Sequence, residues 1–514
     1  MKKTILQILS ILFAQGLIAQ AGTFDPNFAT GNVQSLTSYS SQLIGGMPNH
    51  KIISIGNETA ITTLNNGTQP NPALQFQNTS SNAVLGSISN TSGSSLTITN
   101  VHTPSFSSTF QFDEITDFGK TSNGKIAITG FRRASSSDWN YSAFLGIVDP
   151  ASGSLVSTFN GGDYVTLSST GTYLAQELEV QSDDKILLAG VESLNNFFVR
   201  RYNTDGTLDA TFGNSGSLGT TWFTVYDATQ QNITDIKVMS NGKIIISGFD
   251  LSASVPQSFV ARLNSDGTLD TTFGADGIVE IVFPMGSGQV TSVDVTSTGE
   301  VIIVGNAPEG TVMKLTTSGD NSTDFTVYTE SNGSYLSLNK VHLLPTGKIL
   351  VAGSSSNGNP PSLATFILLN ADGTPDTGFG SSSNGKATFG GGMSYGLWVN
   401  DFDIQADGKV IFVAGSSQPY QTSLYTGRIL MSNSSAGIEI EGLNNYLSIY
   451  PNPASNVIKV EMEIASTVRL FDVSGKLLKE VNGASIYTID ITDLTPGMYM
   501  IESADGAKAK FIKE

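Results

Sequence analysis

Cysteine is missing from all 514 residues of this chain. Its absence excludes disulfides, thiolate metal sites and thiol nucleophiles, and leaves the redox compartment open. Histidine is scarce. His50, His102 and His342 are the only three, and they stand at no ligand-like spacing. A His-based zinc site would therefore need them to converge from distant stretches. Basic residues are few, with 26 Lys and Arg against 44 Asp and Glu and a net charge of −18. That balance excludes nucleic acid as a partner, because phosphate binding needs clustered Lys and Arg. No serine elbow, phosphate loop or dinucleotide fingerprint occurs. Past the N-terminus, no apolar run is long enough to cross a membrane.

What the chain has in abundance is Ser, Thr, Asn and Gly, with 54 glycines. Such a composition suits many short strands and turns better than long helices. Single cores rarely grow past about 250–300 residues, so a chain of this length is several domains or a repeat array. At the N-terminus, Lys2 and Lys3 precede an apolar run from Ile5 to Ile18, followed by Ala19 and Ala21. A basic start, a short apolar core and small residues at a cleavage point predict a secretory signal over 1–21.

From 22 to about 432 the sequence repeats. The clearest copies are KILLAG with FFVRRYNTDGTLDATFG (185–213), KIIISG with FVARLNSDGTLDTTFG (243–274) and KILVAG with FILLNADGTPDTGFG (348–380). Each copy carries an apolar lead-in, an Asn-Gly, Thr-Gly or Asp-Gly turn, and a β-branched run that stops at glycine. A polar loop, a third run, another Asp-Gly turn and a fourth run follow. Asn-Gly and Asp-Gly between apolar runs supply the positive φ of tight hairpins, so one unit is four antiparallel strands. The glycine closing the second strand is read at 56, 130, 190, 248, 305, 353 and 415. Seven four-stranded sheets repeated radially predict an all-β, seven-bladed β-propeller. An open stack is the alternative, and it would need capping units. Residues 22–31, GTFDPNFATG, look like the end of a unit whose beginning lies near Asp407–Met431. Completing one blade from both ends would remove exposed sheet edges. A Ser/Thr/Asn-rich insert at 78–100 has no place in the repeat.

These residues resemble the delta-sixty repeat family of exported bacterial proteins, specifically in three units through GKIxxxG and FxxRxNxDGTLDxxFG. The resemblance implies the propeller fold and no particular activity.

After a loose linker at 433–446, residues 447–514 carry short strand-like runs. Their turns use Ser474-Gly475, Pro496-Gly497 and Asp505-Gly506, and the pattern predicts six or seven strands in a small Ig-like β-sandwich. Pro451 and Pro453 confine the entry segment to a sheet edge. SIYPNPASN, VRLFDVSGKLLKE, IDITDLTPGMYMIE and KAKFIKE occur in order and resemble the type A sorting domain of the type IX secretion system of Bacteroidota. Tyr450, Pro451, Asn452, Pro453, Gly475, Lys476, Pro496, Gly497 and Tyr499 stand at its motif positions. The resemblance implies engagement of that secretion machinery, passage across the outer membrane, and a cell-surface or extracellular location.

No catalytic residue or metal ligand is assigned. Asp-Gly loops such as 203–209 are superficially like calcium loops, but they lack spaced oxygen ligands and a closing Glu. Turn chemistry accounts for Asp205, Asp266 and Asp372, which leaves calcium as the one cofactor open. Asp183-Asp184 and Asp113-Glu114 are adjacent carboxylates that strands would point to opposite faces. In a four-stranded blade, the loops after the second and fourth strands share one end of the ring. Here these loops (131–142, 249–257, 354–362, 390–398 and 416–424) are long and differ from each other, as binding loops on a rigid frame do. Arg132, Arg133, Trp139, Tyr141, Tyr395, Trp398 and Tyr420 fall on or near that end. Aromatics with Arg, Asn and Ser suit a glycan or a protein partner. The leading expectation is a binding module. A carbohydrate-active enzyme using carboxylates in the funnel, and a structural surface component, are the alternatives.

Overall fold

The computed structural model describes residues 34–40, 43–44, 47–48, 51–54, 59–65, 81–90, 96–102, 112–133, 141–167, 173–192, 196–214, 218–225, 231–250, 257–284, 286, 288–307, 309–329, 335–356, 362–380, 384–390, 396–418, 421–431, 447–450, 454–472, 476–503 and 508–513. The chain divides into two compact units between Ser434 and Ser435.

The first unit is built of consecutive four-stranded antiparallel sets. Four of them are separate sheets spanning Tyr173–Phe223, Gln231–Ile281, Gln289–Thr329 and Tyr335–Phe389. The set from Phe112 to Leu167 joins the one from Ile52 to His102 through a short parallel pairing of Ser81 with Phe112. Another sheet takes Leu397–Ile404, Val410–Gln418 and Gln421–Ile429, and its fourth strand is Gln34–Ser40 from the opposite end of the propeller sequence. That strand directly follows GTFDPNFATG, the position a fourth strand takes in the other units. The split unit therefore closes the ring, with Gln34 opposite Thr426.

Two expectations change. In the first set, Ile52–Ser54 pairs, among the described residues, only with Thr59–Asn65 and is the innermost strand, so the KIISIG run is a first strand, not a second. The insert at 78–100 supplies Ser81–Asn90 and most of Leu96–His102, the third and fourth strands of that set. Both departures arise because this unit has no Asn-Gly between Ser54 and Thr59, its one Asn-Gly pair standing later at Asn66-Gly67, and no DGTLD to align it with the others.

Apolar runs form the second strands because both of their faces are covered. Ile244, Ile245 and Ile246 are all fully buried. Ile244 and Ile246 pack on Leu187, Ala189 and Val199 of the preceding blade, whereas Ile245 packs with Phe283, Val290 and Ile303 toward the next. Each such side chain contributes about 1.5–3 kcal/mol on burial, and the sum is spread around the ring rather than held in one core.

The polar letters of the repeat form the seams. Asp270 accepts from Lys243 Nζ (2.6 Å) and Arg262 Nε (2.5 Å), and the Arg262 guanidinium lies over Phe273 and donates to Thr317 O of the next unit. Asp209 does the same with Lys185 and Arg201. One unit keeps the cation and moves the acid: Lys314, at the arginine position, pairs with Glu300, at the lysine position, and with Asp324. The Asp-Gly turns, and Ser318-Gly319 in the same position, dock on the preceding unit. Gly213 N donates to Asp266 O, Gly274 N to Ser318 O and Thr326 N to Asp372 O, at 2.7–2.8 Å. Gly373, at φ +83°, approaches so closely that a Cβ would lie 2.1 Å from Thr326 O.

Among the described residues the C-terminal unit has five strands, where the sequence suggested six or seven. Val457–Asp472 and Leu477–Asp490 are long and continuous across the breaks the sequence suggested, with bulges between Glu461 and Ser466 and between Ser466 and Val468. Among the described residues, Leu447–Tyr450 pairs only with Val457–Asp472, at an edge as the prolines require. Gly497–Ser503 and Lys508–Lys513 complete the order. Ile458, Val460, Leu470, Tyr487, Ile489, Ile501 and Phe511 fill its core.

Candidate functional site

The proposed binding loops yield little that is placed. Trp139, Tyr395 and Tyr420 lie outside the described residues. Arg132 and Arg133 end a second strand, where they pair through the backbone with Ser142 and Tyr141. Trp398 is half-buried on an innermost strand with its indole against Gly415, where a Cβ would come within 2.9 Å of the ring. It packs on its own sheet. Asp183 and Asp184 sit in a turn rather than on a strand, with Asp184 at φ +61°, the place Gly242 and Gly347 take elsewhere. Asp205 Oδ1 accepts from Thr207 N (2.9 Å) and Thr207 Oγ1 (2.6 Å), a self-capped turn. Among the described residues, no three His, Asp or Glu side chains gather as a metal set.

Ionisable groups converge instead at the hub. Six innermost strands carry a bulge at one common position, between Ile115 and Asp117, Ala175 and Glu177, Ile233 and Asp235, Val290 and Ser292, Leu338 and Lys340, and Val399 and Asp401. A bulge adds one residue and re-aims the side chains beside it. The extra residue is polar each time, and in four strands it bonds the next blade. Thr116 Oγ1 donates to Ala175 O (2.9 Å), Gln176 Oε1 accepts from Ile233 N (2.9 Å), Thr291 Oγ1 donates to Leu338 O (2.8 Å), and Asn339 Nδ2 donates to Val399 O (2.7 Å).

The acids that follow continue the seam. Asp117 Oδ2 accepts from Leu178 N (2.7 Å), Asp235 Oδ2 from Ser292 Oγ (2.6 Å), Asp294 Oδ2 from Leu343 N (2.6 Å), Asp401 Oδ2 from Ile52 N (2.9 Å) and Asp403 Oδ2 from Ser54 N (2.6 Å). Two lysines reach past a neighbouring blade. Lys51 Nζ lies 2.7 Å from Glu177 and 3.5 Å from Asp117, and Lys340 Nζ lies 3.3 Å from Asp235. Side chains thus cross the middle of the ring.

Burial governs the titration here. It lifts Glu177 and Asp401 above the ordinary carboxylate range and Glu179 to about 7, outweighing the lysines beside them. Asp235 bears the same burial penalty, yet Lys237 and Lys340 hold it well below its usual value. His342 also stands on an innermost strand, with its side chain 43% exposed. Its Nδ1 is 3.8 Å from Asp294, and burial lowers its imidazole despite that carboxylate. Glu179 is distinctive because its carboxylate makes no hydrogen bond among the described residues. Asp401 Oδ1 is buried with no hydrogen-bond partner among the described residues. The hub was legible in principle as the triplets ITD, AQE, ITD, VTS, LNK and VND, each apolar, polar, then charged or serine.

In the C-terminal unit, Tyr499 is buried against Phe511 (5.5 Å between rings) with its hydroxyl donating to Thr495 O, and Lys476 N donates to Asp472 Oδ1. Pro496 and Gly497 are exposed, and the Tyr450 backbone pairs with Lys459. Pro451, Asn452, Pro453 and Gly475 lie outside the described residues. Residues 448–514 match the family described as the secretion system C-terminal sorting domain, and 181–212, 240–273 and 344–379 match the domain of unknown function (DUF5122) beta-propeller.

This is a β-propeller protein with a type IX sorting tail. The tail marks it for export across the outer membrane to the cell surface. No helix among the described residues of the propeller or its tail is long and apolar enough to cross a membrane. Comparison with curated proteins finds no match. Similar solved structures include the Dos1 propeller (12% identity, 76% of this chain and 82% of that one, TM-score 0.41). A PL25 ulvan lyase bound to its saccharide (12%, 65% and 81%, 0.43) and Drosophila Plexin A in complex with Semaphorin 1b (10%, 77% and 88%, 0.37) are others. These likenesses carry no inference about activity.

Proposed function

We propose that this exported propeller acts by binding, with a glycan or protein held at the ring end that carries the long loops. Residues 1–21 would be removed as a signal, 22–432 would form the seven-bladed ring, 433–446 the linker and 447–514 the part read by the secretion machinery. One observation carries the reading. Most hub carboxylates are committed to the main chain of the next blade, and Lys51 and Lys340 occupy the centre. A frame that spends its acids on closure is suited to presenting loops rather than to hydrolysis across the funnel.

A second reading has one observation in its favour. Glu179, with no hydrogen bond among the described residues and a carboxyl raised to about 7, has the character of a general acid. Mixing the full-length protein with a panel of soluble and insoluble polysaccharides separates the two. Depletion without released reducing ends, lost in Trp139→Ala, supports binding. Release that Glu179→Gln abolishes would replace it with catalysis.

A further inference from the structure

The motif residues of the sorting tail divide by direction. Tyr499 and Phe511 point into the core, while their neighbours Met498 and Ile512 are directly paired across the strands and remain 51% and 48% exposed. Alternation puts Met500 on the same outer face as Met498. Met500 pairs with Phe471, which pairs in turn with Leu477, 46% exposed. None of these five belongs to the packed core. Together they make an apolar band across four strands, bordered by Lys510 opposite Met500, and contiguous exposed apolar surface of this kind marks contact sites.

We infer that this band, and not the buried motif residues, is the surface by which the export machinery reads the tail. The occupant is a protein. Two positions before Phe471 on the same face, Arg469 Nε pairs with Glu480 at 2.7 Å, with both side chains more than two-fifths exposed. Lipid would have to desolvate that pair without replacing its hydrogen bonds, whereas a protein partner can bond both charges while covering the apolar band. The inference rests on the sorting-tail match and is independent of what the propeller binds.

The test uses the full-length chain in the cell that exports it. Met498→Asp with Ile512→Asp should lower the surface-delivered fraction about tenfold or more, and the purified variant should melt like the wild type. Tyr499→Ala should instead lower the melting temperature of the tail. A photo-crosslinking residue at position 498 should join to an outer-membrane component of the export machinery, identified by mass, and Ile512→Asp should abolish the adduct. Normal export of the folded double variant, or crosslinks to lipid alone, would overturn the inference. If the double variant proved unfolded, the crosslink would decide alone: the machinery adduct supports the reading, and no adduct sinks it.

Discussion

The main-chain N–H of Ile52 donates to Oδ2 of Asp401 at 2.9 Å, across 349 positions of sequence. This bond joins the last innermost strand of the ring to the first. Both residues are buried, at 4% and 5% exposure, so neither can turn to water if the other is removed. Asp401→Ala should destabilise the propeller by about 1–3 kcal/mol, because it orphans a buried donor. Asp401→Asn should equal or exceed the wild type, since the amide keeps the acceptor without a charge that burial disfavours. Urea unfolding followed by tryptophan fluorescence measures both.

The Lys243–Asp270–Arg262 triad predicts an asymmetry. Asp270→Ala leaves two cations facing each other in a site where Asp270 and Arg262 are 3% and 4% exposed, and should cost about 3–5 kcal/mol. Arg262→Leu should cost less than half as much. Its acid keeps Lys243, and the unit at 348–376 already has Leu368 at the equivalent place beside the Lys348–Asp376 pair. Equal losses in the two variants would contradict this account of the repeat.

Glu179 gives stability a pH slope. Its folded pKa of about 7 lies above the usual glutamate value, so the folded state binds the proton more tightly than the unfolded state. That contribution is complete below about pH 4.5 and is lost as pH rises through 7. Asp209 and Asp270, held low by their ion pairs against burial, act in the opposite direction and lose their contribution at acid pH. Glu179→Gln should flatten the melting-temperature profile between pH 5 and 8 and be more stable than the wild type at pH 8. Parallel profiles for the two proteins would refute the assignment.

Gly373 and Gly347 share a left-handed backbone at φ +83° and +80° but differ in surroundings. Gly347→Ala meets nothing nearer than 4.0 Å and should pay only the backbone penalty, about 1–2 kcal/mol. Gly373→Ala must also displace Thr326 O from the docked turn and should cost clearly more. Denaturant midpoints for the two variants give the difference directly.

The ring could be read from the sequence wherever the repeat is punctuated. GKI and DGTLD fixed second and third strands because Asn-Gly and Asp-Gly carry turn geometry in the letters themselves. The first blade was not readable in this way. Its strands at Ile52–Ser54 and Ser81–Asn90 pair with the strands next in sequence, Thr59–Asn65 and Leu96–His102, but the connections do not carry the turn letters of the other units. The hub was missed for a related reason. Asp117, Asp235 and Asp401 look like scattered acids until the bulge before each is placed, and a bulge leaves no mark in composition. The tail was legible as motifs, but which of its residues face outward depended on pairing Met498 with Ile512.

Because Gln34–Ser40 completes the sheet of Gln421–Ile429, the ring has a clasp made from its two ends. A chain emerging from the ribosome cannot fasten that clasp until nearly the whole propeller sequence has been made. The earlier blades must wait with one flank uncovered, so the rate of maturation should depend on the last contact formed rather than on any single blade. Joining residue 431 to residue 34 through a short loop, and opening the chain between two middle blades, would make that contact local. Such a permuted chain should fold sooner than the natural one.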